Sequence, residues 1–274
     1  ELVGLVPKKV LLEAGKYFLR QQQRSVGISE REVIKIAVES LGLDHLGPFD
    51  PDKKVIEYLL EDENAHPLID MKLSSFADLT ASESPAPGGG SVAAYVGALG
   101  ASLGTMVANL SSHKRGWDDK WDVFSEWAEK GQSIKDRLLD LVDEDTRAFN
   151  AILTAIRMPK SNKEEKDARK KAIHDATRYA IEIPFQILET SYEIFDLAAE
   201  MVKSGNPNSI SDGGVGALCA RAAMQGAWMN VKINVQGFDD AKFVKDILKR
   251  SEQLCKEGDL REEEIRKAVD ASFK

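Results

Sequence analysis

The sequence predicts an all-α fold, a long-helix up-and-down bundle, preceded by a short α/β remnant of an upstream domain. Three observations carry this. From Leu68 onward apolar residues recur three and four apart, and two-residue alternation is nearly absent. The main breaks fall in "MPKSN" (158–162) and "GNPNSI" (205–210), both built from helix-stopping and turn residues. Ahead of Leu68 the pattern differs: one strand-like run and two or three short helices, too few to close a core alone.

In order, residues 1–6 read as a strand already under way, so the chain is expected to continue a longer protein. A helix follows from Pro7 to about Gln23, because a proline in the first turn gives up an N–H that has no helical partner there. Ser29 with Glu32 three residues on forms a capping box opening a second helix that stops near Leu41-Gly42. "GPFDPDKKVIEYLLED" supplies a turn and a short helix or strand. The polar "EDENAHP" marks the boundary, giving domains 1–62 and 68–274 with a linker at 63–67. Helices are then expected at 72–81, 89–113, 119–157, 163–203, 211–236, 239–257 and 261–272, with Pro184 kinking or dividing the long fourth one.

Composition narrows the function. The chain has 274 residues, a net charge of −8 and a pI near 5.2, which argues against general nucleic-acid binding, since phosphate neutralisation needs a basic surface. Cys219 and Cys255 have neither zinc spacing nor a disulfide framework, so a reducing cytoplasmic setting is expected. No HExxH or CxxC occurs, and no metal site is expected.

Between Ser84 and Ser112 the chain carries no charged residue. The length suits a membrane span, but the composition is largely Gly, Ala, Ser and Thr. Val92, Tyr95, Val96, Leu99, Leu103, Met106, Val107 and Leu110 form a bulky stripe, and Ala93, Gly97, Gly100, Ala101 and Gly104 a small-residue side. A central bundle helix or an oligomer interface is expected instead of a span. A nucleotide loop is disfavoured too, since no strand precedes Gly88, Gly89 and Gly90 and no GK[ST] follows. The glycines either open the backbone of a helix N-terminus to a ligand or merely permit a tight turn.

In "SIKDRLLDLVDEDTRAFNAILTAI" the stripe Leu138, Val142, Asp145, Phe149, Ile152, Ile156 places Asp145 in a core slot, with Asp143 nearer the flank. Such a carboxylate either pairs with a base such as Arg147 or Arg221 or lines a cavity, where its raised pKa suits proton transfer. Ser211 or Asp212 is a natural N-cap for the next small-residue helix, on which Asn230 and Asn234 share a face. Lys114, Arg115, Arg157 and Lys160 stand near helix ends, where cations are favoured and where an acidic small molecule could be anchored.

"APGGGSVAA", "DEDTRAF", "RMPK", "IPFQILE" and "GNPNSISDGGVGA…NVKIN", in this order and spacing, resemble the formimidoyltetrahydrofolate cyclodeaminase and methenyltetrahydrofolate cyclohydrolase family over about 68–274. Residues 1–62 resemble the end of the glutamate formimidoyltransferase domain, the pairing found in the bifunctional enzymes of histidine degradation. The resemblance implies a cyclodeaminase-like helical domain, closure of 5-formimidoyltetrahydrofolate to 5,10-methenyltetrahydrofolate with release of ammonia, polyglutamylated tetrahydrofolate as substrate and no tightly bound cofactor. It also implies an upstream formimidoyltransferase domain in the same chain and homodimers, with sites near the interface, within a ring-like octamer. Residue by residue it implies Asp212 as leading acid/base, with Asp143 or Asp145 orienting the pterin or sharing the proton. Gly88, Gly89, Gly90, Ser91, Asn206, Asn230 and Asn234 match binding positions, and Lys114, Arg115, Arg157 and Lys160 are expected to hold the glutamyl tail.

Overall fold

Residues 2–61 and 66–273 are described by the computed structural model; positions 63–65 of the expected linker lie outside the described residues. The N-terminal part contains α1 (Lys8–Gln21), α2 (Glu30–Leu41), α3 (Pro51–Lys54) and α4 (Ile56–Leu60). Ser29 opens α2 as expected, its hydroxyl accepting the Glu32 N–H at 3.4 Å. Pro7 stands one place before the first turn of α1, as its cap residue. No strand forms among the described residues. The expected one reduces to a parallel bridge between Val6 and Val55, because a lone extended segment has no neighbour with which to extend a ladder. Val6, Leu11, Ile34, Ala37, Val38 and Val55 bury one another in a small core there.

The remainder is helical: α5 (Leu73–Thr80), α6 (Gly89–Ser112), α7 (Trp121–Ile156), α8 (Lys163–Tyr192), α9 (Ile194–Ser204), α10 (Ile210–Asn234) and α11 (Ala241–Ser272). Three boundaries differ from expectation. The helix expected over 163–203 is divided at Glu193, not at Pro184, which stays buried inside α8. Asn162 caps α8 by accepting the Glu165 N–H at 2.8 Å. The two expected C-terminal helices are one. Glycine inside a helix costs about 1 kcal/mol relative to alanine, but Gly258 lets α11 lie against Met224 and Phe195, where an added Cβ would come within 3.0 Å of each. Finally, α10 begins after a 3-10 turn (Pro207–Ser209) with Ser209 at its cap, which puts Asp212 inside its first turn.

Helices α6 and α10 run antiparallel through the centre, packed by their small-residue faces. A Cβ on Gly100 would lie 2.9 Å from the Gly216 carbonyl oxygen. The most apolar window of α6 has a mean hydropathy of 1.5, enough to cross a membrane by length and composition, and 61% of it is buried inside the protein. Its small side faces inward: Ala93, Gly97, Gly100, Ala101 and Gly104 meet the core, whereas the bulky Leu99, Met106 and Leu110 are exposed. Phe195, Leu138, Leu141, Ile187, Leu188 and Ile194 fill the interior between α7, α8 and α9.

The loop between α1 and α2 clips the N-terminal part onto the bundle. Val26 N–H donates to Ser125 Oγ at 2.9 Å, and the Gly27 carbonyl accepts from Asn109 Nδ2 at 2.8 Å and Gln132 Nε2 at 3.1 Å. A Cβ at Gly27 would stand 2.2 Å from Ala128 Cβ and 2.3 Å from its carbonyl carbon, a backbone clash that no rotamer relieves. Gly27→Ala is therefore expected to lower stability by about 1–3 kcal/mol, as overpacking does, read as a lower urea midpoint.

Candidate active site

Gly88 caps α6 without a side chain, so the first N–H groups of this long helix need partners from elsewhere. Asp145, on α7, supplies one. Its Oδ2 accepts the Ser91 N–H at 2.9 Å, and Ser91 Oγ lies 3.1 Å from the same oxygen and 2.9 Å from the Val142 carbonyl. That hydroxyl has one proton, which can be given to either of these two acceptors. Ser91 is fully buried, and a Cβ on Gly90 would fall 2.1 Å from Asp145 Oδ1. The glycine is what allows the carboxyl group to sit on the helix end.

Burial pushes the Asp145 carboxyl above its ordinary range, and the two hydrogen bonds from Ser91 pull the other way without reversing the shift. The sequence leaves either a basic partner or a cavity lining open for Asp145; the partner observed is a serine, while Arg221 pairs with Asp259 at 2.7 Å. Among the described residues no hydrogen bond reaches Asp145 Oδ1.

A cavity of about 160 Å³ lies beside this carboxyl, its wall including Gly88, Gly89, Phe149, Asn230 and Asn234. That volume is of the order that accepts one benzene-sized ring. Pro85, Ala86, Ala148 and Ile152 also line it, Ile152 from the same apolar stripe as Asp145; Thr146 and Ala180 join them without a signal of their own in the sequence, although Thr146 adjoins Asp145 and Ala180 stands four residues before Pro184. The lining has one acid group, several amide and backbone dipoles and an apolar side. It suits proton transfer on a bound, partly desolvated heterocycle. Among the described residues no group of three or more His, Cys, Asp or Glu is arranged to hold a metal ion.

The other candidates are placed elsewhere. Asp143 is 1% exposed, and its two oxygens accept the N–H groups of Leu68 at 2.9 Å and Ile69 at 3.4 Å. It fastens the segment before α5 to α7, and is buried instead of lying on the flank as expected. Asp212 is separated from Asn230 by most of α10, about 27 Å at 1.5 Å per residue. Lys114, Arg115 and Asn206 share the Asp212 end: Ser111 Oγ, near the close of α6, accepts the Asn206 N–H at 2.8 Å, and Lys114 Nζ sits 4.0 Å from the Trp117 ring centre. Arg157 and Lys160 are exposed at the turn between α7 and α8, with Arg157 about 18 Å along α7 from Asp145. One chain thus brings together Gly88, Gly89, Gly90, Ser91, Asp145, Asn230 and Asn234, and leaves Asp212, Lys114, Arg115, Asn206, Arg157 and Lys160 outside the cavity.

A family model described as Formiminotransferase-cyclodeaminase matches residues 72–253, and one described as Formiminotransferase domain matches residues 1–61. The chain belongs to the formiminotransferase-cyclodeaminase family. The family's curated members include the formimidoyltransferase-cyclodeaminase of Rattus norvegicus, 36% identical over 94% of this chain and 48% of the rat protein. The chain spans about half the length of that relative. A methenyltetrahydrofolate cyclohydrolase from Methylorubrum extorquens is 36% identical over 72% of this chain and 95% of its own length. Among solved structures, formiminotetrahydrofolate cyclodeaminase from Thermotoga maritima superimposes with a TM-score of 0.62 at 25% identity, covering 74% of this chain and 96% of that one. The family match covers both parts of the chain that the sequence distinguishes.

Proposed function

We propose that this chain is the cyclodeaminase part of a bifunctional enzyme and closes 5-formimidoyltetrahydrofolate to 5,10-methenyltetrahydrofolate, releasing ammonia. The observation that supports this most is the Asp145 carboxyl, raised in pKa and held by Ser91 at the rim of a small cavity. In the reaction folate N10 attacks the formimidoyl carbon, forming one C–N bond. N10 then loses a proton, the formimidoyl nitrogen gains one, and the second C–N bond breaks to release ammonia. Asp145 is the group we assign to that transfer, accepting from N10 and donating to the leaving nitrogen. The substrate is polyglutamylated tetrahydrofolate, and no tightly bound cofactor is needed for this chemistry.

The reading extends to domains and assembly. Residues 1–62 are the end of a formimidoyltransferase domain and 68–274 the cyclodeaminase domain, acting in the cytoplasm in histidine degradation and one-carbon metabolism. The chain pairs as a homodimer within a larger ring-like octamer. The exposed Leu99, Met106 and Leu110 on α6, with Val215, Leu218, Met229 and Ile233 on α10, support pairing, since large apolar side chains gathered on two packed helices mark interaction surfaces. A two-fold axis perpendicular to α6 and α10 would carry the Asp212 end of one copy toward the Asp145 end of the other. On this view Asp212, Asn206, Lys114 and Arg115 complete the site across the interface, with Arg157 and Lys160 toward the glutamyl tail.

The Methylorubrum extorquens relative favours a second reading, hydrolysis of 5,10-methenyltetrahydrofolate. Offering the protein each compound separately decides between them. Ammonia and methenyl absorbance from 5-formimidoyltetrahydrofolate are expected. Loss of methenyl absorbance without ammonia production selects the cyclohydrolase, and folate binding with neither reaction reduces the domain to a binding module.

A further inference from the structure

Proline at 184 deprives α8 of one backbone donor. In an uninterrupted helix the N–H of residue 184 would serve the carbonyl of Ala180. Ala180 is 5% exposed, so water is a poor substitute, and an unpaired buried carbonyl costs about 1–3 kcal/mol. The partner comes from another helix: Asn234 Nδ2, at the end of α10, donates to Ala180 O at 2.7 Å. The contact thus satisfies the carbonyl that Pro184 leaves open inside a continuous α8.

The same contact fixes the Asn234 amide. A carbonyl oxygen only accepts, so only the NH₂ side of Asn234 can face Ala180, and the amide oxygen is turned away from it. Ala180 and Asn234 both line the cavity beside Asp145. Asn230 is committed in the same sense, its Nδ2 donating to Gly226 O at 2.9 Å. Two amides and one carboxyl therefore converge on a small space, with both NH₂ groups engaged by backbone carbonyls.

We infer that Pro184, acting through the Ala180 carbonyl, is a positioning residue that orients Asn234 as a hydrogen-bond acceptor, making Asn234 a specificity determinant for a ligand group bearing N–H donors. Resting on the cyclodeaminase reading, the group it selects is the formimidoyl nitrogen, a donor as =NH₂⁺, over the isosteric formyl oxygen, which only accepts. A site with fixed acceptors rejects an isostere lacking the donor because its own polar atoms are then left unpaired.

The test compares the full chain with Pro184→Ala, Asn234→Ala and the double variant. In urea unfolding, Asn234→Ala is expected to destabilise the unmodified background. It should cost little in the Pro184→Ala background, where the restored backbone N–H serves the Ala180 carbonyl. In catalysis, Asn234→Ala is expected to raise KM for 5-formimidoyltetrahydrofolate by about tenfold, the worth of one hydrogen bond, in the unmodified background, and by less where Pro184→Ala has already freed the amide. Pro184→Ala alone, which frees the amide to rotate, is expected to narrow the preference over 5-formyltetrahydrofolate, measured as an inhibitor. An equal stability cost of Asn234→Ala in both backgrounds overturns the link through Pro184. An unchanged KM, or an unaltered preference over the formyl compound, overturns the recognition role. If the unmodified protein neither binds nor converts either folate, the cyclodeaminase reading fails and the recognition role with it, while the stability coupling still decides the link.

Discussion

Asp145→Asn is expected to reduce turnover by about 10²–10⁴-fold, the usual contribution of a positioned proton-transfer group, while leaving the protein folded. The amide oxygen of asparagine can still accept the Ser91 N–H that Asp145 Oδ2 accepts at 2.9 Å. Structure and chemistry are thereby separated in one substitution. The pH dependence of stability gives an independent reading. Burial raises the folded-state pKa of Asp145 above its ordinary value, so the native state binds that proton more tightly than the unfolded chain. The resulting stabilisation is fully present below the unfolded pKa and is lost as pH rises through the raised folded value. Above that window the parent carries a buried charge that the asparagine variant lacks. Urea midpoints should fall less steeply for Asp145→Asn than for the parent across the carboxylate range, and near neutrality the variant should be at least as stable. A variant with near-normal turnover would remove Asp145 from the reaction.

Gly90→Ala is expected to act on the same group from the opposite side. Its new methyl carbon would stand 2.1 Å from Asp145 Oδ1, 2.5 Å from Cγ and 2.6 Å from Oδ2, so the carboxyl must swing away from Ser91. A displacement near 1 Å at a reacting group costs on the order of 100-fold in rate, and kcat is where that loss should be found. Because the atom that yields is the end of a side chain, the stability loss should be smaller than for Gly27→Ala, where backbone blocks the methyl group. Asp145→Asn and Gly90→Ala together should be much less than multiplicative, since both remove one positioned carboxyl. Independent, multiplicative effects would mean that Gly90 acts on the site by another route.

The bundle is largely legible in the sequence because its signals are local. The glycine triplet and the punctuation at "MPKSN" put the starts of α6 and α8 at their observed positions, and "GNPNSI" puts that of α10 within one residue. Asp145 is legible for the same reason, as a charge occupying a slot reserved for apolar side chains. What stays hidden depends on contacts between distant residues. Asp143 sits two positions from Asp145 on the same helix, yet its partner Leu68 is 75 residues away, and only that partner makes it a structural anchor. Gly258 and Pro184 carry strong local preferences against helix, overridden by Met224 and Phe195 in one case and by Asn234 in the other. The strand expected over 1–6 shows the converse, a good local pattern without a neighbour to complete it. The order of motifs along the chain also conceals the antiparallel course of α6 and α10, which sends Asp145 and Asp212 to opposite ends.

The loop at Gly27 makes the covalent division of the chain different from its mechanical one. The two family matches meet in the stretch between residues 61 and 72, where the sequence invites a cut. Yet Ser125, Asn109 and Gln132 on the bundle hold the backbone of residues 26 and 27, and Ala128 packs directly on Gly27. Removing residues 1–61 would bare these groups on α6 and α7 and leave their hydrogen bonds to solvent. Residues 1–61 and the helical bundle are therefore expected to unfold together, which a single urea transition followed by two probes would check. An excised bundle loses part of its own folding unit although every one of its helices is intact.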